Sequence, residues 1–328
     1  MKIHYRVCKD NDNASYIEVI RVFGSDPEVV LPEKIDGLDV RKVAAYAFSE
    51  KKVQEETDVL IWQSKEGIIG VEGERLLAGT GVTEVVLPHT VTEIGNYIFY
   101  GCKELRRLEF TDALMNVGSG AFTGCGKLYE LNVHLRNGKK SCVKEILGDL
   151  WQRIDVTFYC YEKGQSAEQI RLVFPEHYEE AVENTPARIL FTQHHGAGNH
   201  YRQCFLDKEV DYGKYDELFP LAQTQDRTQM LVDLVFDRLM YPHGLKKRCE
   251  EQYQRYIEEH FREVADVLVR KEQLDRLRVV SGRGLWNRER LDIAIEQAAA
   301  YGKGEVLSFL MEEKHQNFPE PKKRRFEL

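Results

Sequence analysis

Residues 82–105 read VTEVVLPHTVTEIGNYIFYGCKEL, and residues 105–128 read LRRLEFTDALMNVGSGAFTGCGKL. At an offset of 23 residues, Gly95 falls on Gly118, Phe99 on Phe122, Gly101 on Gly124, Cys102 on Cys125 and Leu105 on Leu128. The apolar positions Val82, Val85, Leu87, Val91 and Ile94 fall on Leu105, Leu108, Phe110, Leu114 and Val117. Identity and apolar spacing at a single offset mark an internal repeat. A further copy starts at Leu128 with LYELNV and then fades. An earlier one, VVLPEKIDGLDVRKVAAYAFS (29–49), shares the Leu-Pro pair and the closing Ala-Phe but carries extra residues between them.

The spacing of each copy has a physical reading. L-x-x-L-x-L turns alternate side chains of a short strand inward and leaves those between outside. A second apolar cluster, Val91, Ile94, Ile98 and Phe99, returns the chain across the coil. Gly101 then supplies backbone freedom and Cys102 a small buried wedge. One coil cannot bury its own face, so coils must stack, and the open end needs a cap. Residues 3–23, two β-like runs around CKDNDNAS, read as a hairpin cap. Residues 50–81 do not fit the period and read as a degenerate coil or an inserted loop.

Leu-Pro, Val-x-x-Ile-Gly, Ala/Ile-Phe, Gly-Cys and Leu in this order resemble the BspA-like (treponemal-type) leucine-rich repeat proteins. The resemblance covers roughly residues 1–135. It implies a binding scaffold, in many members at a cell surface.

Beyond the repeats, CVKEILGDLWQ (142–152) reads as a short helix. IDVTFYCY (154–161) and IRLVF (170–174) read as strands around a Lys-Gly-Gln turn, and ARILFT (187–192) as another. From about Tyr201 the period turns helical. Met230, Leu231, Leu234, Val235 and Leu239 make one stripe, stopped by Pro242 and Gly244. Cys249, Tyr253, Tyr256, Ile257, Phe261, Val264 and Leu268 share another face. Asn287 is placed to cap RERLDIAIEQAAA, with Leu291, Ala294, Ile295, Ala298 and Ala299 as its stripe. Gly302 ends that helix and EVLSFLMEEK begins the next. LDIAIEQAAAYGKGEVLSFLMEE resembles the helix pair of an ankyrin repeat, without its Thr-Pro-Leu-His opening, and REVADVLVRK reads as a neighbour stacked on it. Along both halves the chain is similar to intracellular leucine-rich-repeat proteins of gut Firmicutes.

The expected fold is therefore α+β. A leucine-rich-repeat β-solenoid with its hairpin cap occupies 1–135, an α+β connector 136–195, and a helical, ankyrin-like domain 196–328. A chain of 328 residues with 42% apolar and 30% charged side chains can bury cores of this kind. The net charge of −8 argues against a general nucleic-acid binder. No apolar run approaches the about 18–20 residues of a membrane span. The opening MKIHYRVCKDNDNAS lacks the apolar core of an export signal. With seven scattered cysteines, this points to reduced thiols and a cytoplasmic location.

Several constellations invite chemistry. His194, His195, His200 and Cys204 put four metal-ligand types in eleven residues, yet their spacing matches no familiar zinc pattern. A glycine loop leading into a helix and a packed Tyr201 accounts for the same residues without metal. A Cys204–His nucleophile pair would also need an oxyanion hole, for which no signature is visible. GSGAFTG (118–124) holds G-x-G but no Lys-Ser/Thr, and it lies inside a repeat. The segment RKEQLDRLRVVSGRGLWNRER (270–290) and the Lys322–Arg325 run read as solvated basic faces, or as contacts for an acidic partner or RNA.

The outward strand positions are the preferred surface. Glu84, Arg107 and Glu130 should form one column across adjacent coils, and Val86, Glu109 and Asn132 the next. Alternating charges there also steady neighbouring strands, by about 0.2–1 kcal/mol per pair. The expectation is a non-catalytic scaffold for a protein partner, with no cofactor and no membrane. The alternatives are a metal-dependent or catalytic protein centred on the His194–Cys204 loop, and a nucleic-acid-associated regulator using 270–290.

Overall fold

The computed structural model describes residues 1–51, 58–64, 75–161, 167–184 and 189–319, the side chains of 182–184 and 189–194 excepted. It divides into two compact units, Met1–Leu218 and Phe219–Leu328.

In the first unit the repeats wind into a two-sheet solenoid. The first three coils give one strand to each sheet, and the coils begun by Glu130–Leu135 and Ile154–Cys160 give one to the second sheet alone. The first sheet runs Asn116–Val117, Glu93–Ile94, Leu38–Val43, Ser15–Gly24, Lys2–Lys9, Leu60–Gln63. The second runs Glu168–Phe174, Ile154–Cys160, Glu130–Leu135, Arg107–Thr111, Glu84–Val86, Glu28–Val30. From Glu28–Val30 through Ile154–Cys160 the second sheet is parallel, five coils deep. Glu168–Phe174 closes it antiparallel. Lys2–Lys9 and Ser15–Gly24 form the expected antiparallel hairpin at the head of the first sheet.

Alternation places Val29, Val85, Leu108, Leu131 and Val156 in one inward row, all nearly inaccessible. The return stretches stack Phe48, Phe99 and Phe122 at ring-centroid spacings of 5.2 and 5.3 Å. Beside them Cys102 Sγ donates to the Phe48 carbonyl at 3.1 Å, and Cys125 Sγ to that of Phe99 at 3.3 Å. Each thiol thus reaches back one coil, and burial pushes Cys102 up to about 12. The repeated glycines serve two needs. Gly101 and Gly124 adopt φ of +78° and +86°. Gly95 and Gly118 permit coil-to-coil approach, since a Cβ on either would lie 2.3 Å from the backbone nitrogen of Ala45 or Asn96.

Two irregularities have simple causes. The extra residues of the first coil form a tight hairpin, Lys34–Ile35 against Leu38–Val43, turning through Asp36 and Gly37 with positive φ at both. Of 50–81, Leu60–Gln63 and Arg75–Leu76 pair antiparallel with Lys2–Lys9 and Ser15–Gly24. These are added edge strands, not a coil. Residues 52–57 and 65–74 lie outside the described residues, as does the Lys-Gly-Gln turn at 163–165.

The short helix forms at Val143–Gly148. Ile154–Cys160 does more than connect, because it adds a parallel strand to the solenoid. Ile189–His195 pairs with Tyr178–Asn184, a strand whose Glu-rich sequence did not announce it.

The second unit holds Thr228–Met240, Lys247–Glu259, Phe261–Arg270, Leu274–Gly282, Arg288–Ala300 and Gly304–Asn317 as its longer helices. The Cys249–Leu268 face is buried throughout but crosses a helix break at His260. Asn287 caps as expected, its side chain accepting from Arg290 N at 2.7 Å. Leu291, Ala294 and Ala298 are buried, whereas Ile295 is half-buried and Ala299 exposed. Phe261–Arg270 and Gly304–Asn317 both pack on Arg288–Ala300. A periodicity missed in the sequence emerges here. Glu272 and Gly302 take the same left-handed turn, with Gln273 N bonded to Leu268 O and Lys303 N to Ala298 O. Aligned on that turn, Phe261, Val264, Leu268 and Val280 correspond to Leu291, Ala294, Ala298 and Leu310, and all are buried. Two helix pairs repeat.

Candidate functional site

The expected columns exist on the outer face of the second sheet. Parallel register puts Glu84 beside Arg107 and Arg107 beside Glu130; Val86 stands beside Glu109, and Glu109 beside Asn132. Each column is longer than the repeats suggested. The first runs Glu28, Glu84, Arg107, Glu130, Asp155, and the second Val30, Val86, Glu109, Asn132, Thr157, Arg171. Glu28 was legible in hindsight, because E-V-V-L-P occurs at both 28–32 and 84–88. Asp155 was not, because IDVTFYC matches the repeat only in its alternation.

Arg107 is the hinge of the first column. Its Nη1 donates to Glu84 Oε2 at 3.0 Å and its Nε lies 3.1 Å from Glu130 Oε2. Burial works against its charge, but the Glu130 hydrogen bond and both carboxylates hold its pKa above the ordinary value. Arg153 grips Asp155 through two bonds of 2.7 and 2.8 Å. Asn132 donates Nδ2 to Glu130 Oε1 at 3.1 Å and is only 8% exposed, while its Oδ1 is buried without a partner.

A third outward column adds residues the sequence reading passed over. His134 stands beside Tyr159, their rings stacked at 4.9 Å. Its Nε2 lies 3.0 Å from Glu109 Oε1 and its Nδ1 2.8 Å from the Tyr161 hydroxyl. Arg136 lies over the Tyr161 ring at 5.5 Å. At the other edge Val30 is 60% exposed. The face thus grades from aliphatic through charged to aromatic.

The first sheet carries its own outer row, Arg6, Glu18, Lys42, Glu93, Asn116. Arg6 Nε donates to Glu18 at 3.1 Å and Lys42 Nζ meets Glu93 at 2.9 Å. The Glu93 hydrogen bond holds the Lys42 ammonium above its ordinary pKa.

The described side chains of the His194–Cys204 segment are spread apart instead of gathered. His195 stacks on Tyr178 at 4.4 Å, with Nε2 3.3 Å from Glu180. His200 is exposed, and Cys204 is buried with Sγ directed to the His200 carbonyl at 3.7 Å. Burial pushes that thiol up to about 12, so it stays protonated at neutral pH. His194 is described in its backbone only. Among the described residues no group of three or more His, Cys, Asp or Glu is placed to hold a metal. What organises the loop is Arg202. Its guanidinium donates to the carbonyls of Leu147, Leu150, Gln152, Pro175 and Gly198 at 2.6–3.2 Å. Desolvation lowers its pKa to about 10. Tyr201, fully buried, packs edge-on against Tyr215 at 4.8 Å.

Most arginines of 270–290 face internal carboxylates. Arg276 bridges Asp233 and Asp237 at 2.5 and 3.0 Å, Arg283 pairs with Glu250, and Arg270 and Arg278 pair with Asp266 and Asp275. Lys322–Arg325 lie outside the described residues. No described helix is long and apolar enough to cross a membrane.

Residues 73–145 match the model of the BspA type leucine rich repeat region, in 6 copies. Among curated proteins none matches significantly. Two solved structures are similar. One is a leucine rich cell surface protein from Faecalibacterium prausnitzii A2-165, at 19% identity and TM-score 0.27, with 42% of this chain covered. This chain spans 36% of that protein's length. The other is a leucine rich repeat protein of T. pallidum, at 21% identity and TM-score 0.23, covering 39% of this chain and 68% of that one.

Proposed function

We propose that this chain, which carries a BspA-type leucine-rich repeat region, is a non-catalytic scaffold that binds a protein partner through the outer face of its second sheet. Stacked repeats in general build extended surfaces for partners. The observation that carries the reading is the continuous outward column from Glu28 to Asp155, bordered by the column that opens with Val30 and Val86 and, beyond that, by the His134–Tyr159–Tyr161 cluster. The sites are Glu84, Val86, Arg107, Glu109, Glu130 and Asn132, extended by Glu28 and Asp155. The paired helices of 261–317, ankyrin-like in sequence, offer a second surface on the same chain. Seven free cysteines, five of them buried, support a reducing compartment such as the cytoplasm.

The test is affinity capture from a native lysate by the intact chain, read by mass spectrometry. A variant carrying Val30→Asp and Glu109→Lys is run beside it. Both positions are on the outer face, so the fold should persist. Loss of a specific partner from the variant supports the reading. Retention of every partner by a folded variant removes the second sheet as the binding surface.

A further inference from the structure

The two outer rows of the solenoid carry different charge arithmetic. In the first sheet Arg6, Glu18, Lys42 and Glu93 alternate in sign and cancel. In the second, Glu28, Glu84, Glu130 and Asp155 surround the single in-row cation Arg107, and the flanking Arg153 is already chelated by Asp155. Two carboxylates remain uncompensated. Glu28 stands directly beside Glu84, and Glu130 directly beside Asp155. Like charges opposite each other in a sheet are destabilising. Among the described residues Glu28 has no ion pair to relieve this. Local strand stabilisation explains the first row, but in the second it leaves Glu28 beside Glu84 and Glu130 beside Asp155 unexplained.

An independent feature lies in the adjoining column. Asn132 is nine-tenths buried between Glu109 and Thr157, and its Oδ1 lacks any donor. A buried acceptor left unmade is costly and calls for a donor from elsewhere. Surplus carboxylates and an unmet acceptor on one face require the same complement, a group rich in N–H donors and positive charge.

We propose that this row receives a cationic helical segment of another protein, lying across the strands. The proposal rests on the scaffold reading and adds the partner's chemistry. Strands lie about 4.8 Å apart, and a helix advances about 5.4 Å per turn. Lys or Arg at i and i+11 of such a helix share one face about 16 Å apart, close to the about 14 Å of three strand spacings between the Glu28–Glu84 and Glu130–Asp155 pairs, and leave Arg107 unopposed between them. The exposed Val30 receives an aliphatic side chain of the same helix.

The probe is a fluorescent helical peptide with Lys at i and i+11 and an aliphatic flank. Its control has Glu at those positions. Binding to the full chain is read by anisotropy at about 50 mM and about 500 mM salt, bracketing strong and weak screening. The basic peptide should bind, with affinity about tenfold lower at high salt. Glu84→Gln with Glu130→Gln should weaken it by about tenfold, whereas Glu18→Gln with Glu93→Gln should change it less than about twofold. If the first pair fails to fold, Glu28→Gln with Asp155→Asn takes its place. Equal binding of the acidic peptide, equal weakening by the two pairs, or no binding of the basic peptide at low salt overturns the inference. If a partner is nevertheless captured and is lost with Val30→Asp and Glu109→Lys, the inference alone falls and the scaffold reading stands.

Discussion

The two sheets of the solenoid share three coils yet finish their surfaces differently. Inside they match: both turn alternate aliphatic side chains into one core, with Val40, Val43 and Ile94 on one side and Val85, Leu108 and Leu131 on the other. Outside, the first sheet ends in a charge-balanced ladder. The second ends in carboxylates set side by side. A repeat constrains its inward positions because every coil must bury them, and leaves outward positions free to vary. Differences on the outside are thus where function can be written.

The largest effect should come from the part the sheets share. Leu108→Ala removes a fully buried side chain and should cost about 2–5 kcal/mol in denaturant unfolding, with Arg107→Ala costing much less. Gly118→Ala strikes both sheets by forcing apart the coils at Asn96, and should cost about 1–3 kcal/mol. Reversing the ladder cations comes next. Arg107→Glu breaks two carboxylate contacts and Lys42→Glu one, so losses of roughly 1–2 and roughly 1 kcal/mol are expected. Both should shrink as salt is raised. The smallest effect is the most discriminating. Glu18→Gln weakens a balanced ladder and should lower stability by a few tenths of a kcal/mol, whereas Glu28→Gln relieves a like-charge pair and should raise it by a similar amount. Thermal melts with the same sign for both would erase the distinction between the rows.

Legibility in the sequence followed local constraint. The coils of 82–133 were readable because Gly95, Phe99 and Cys102 each meet a need that recurs, and their outward columns followed from the offset. The first coil was blurred by the Asp36–Gly37 hairpin inserted within it, which hid Glu28. Ile154–Cys160 joins the sheet through backbone pairing and apolar alternation alone, so it looked like part of a separate connector and hid Asp155. The helix stripes were clear at Met230–Leu239. The repeat of helix pairs was not, because the same left-handed turn is made by Glu272 once and by Gly302 once. Arg202, which holds a whole loop through five carbonyls, left no mark in any pattern, since its partners are backbone atoms distant in sequence.

Carboxyl footprinting of the full chain, alone and with its captured partner, tests the central claim most directly. The account predicts that Glu28, Glu84, Glu109, Glu130 and Asp155 lose reactivity in the complex while Glu18 and Glu93 keep theirs. Protection confined to Glu18 and Glu93, or to carboxylates of Phe219–Leu328, would contradict it.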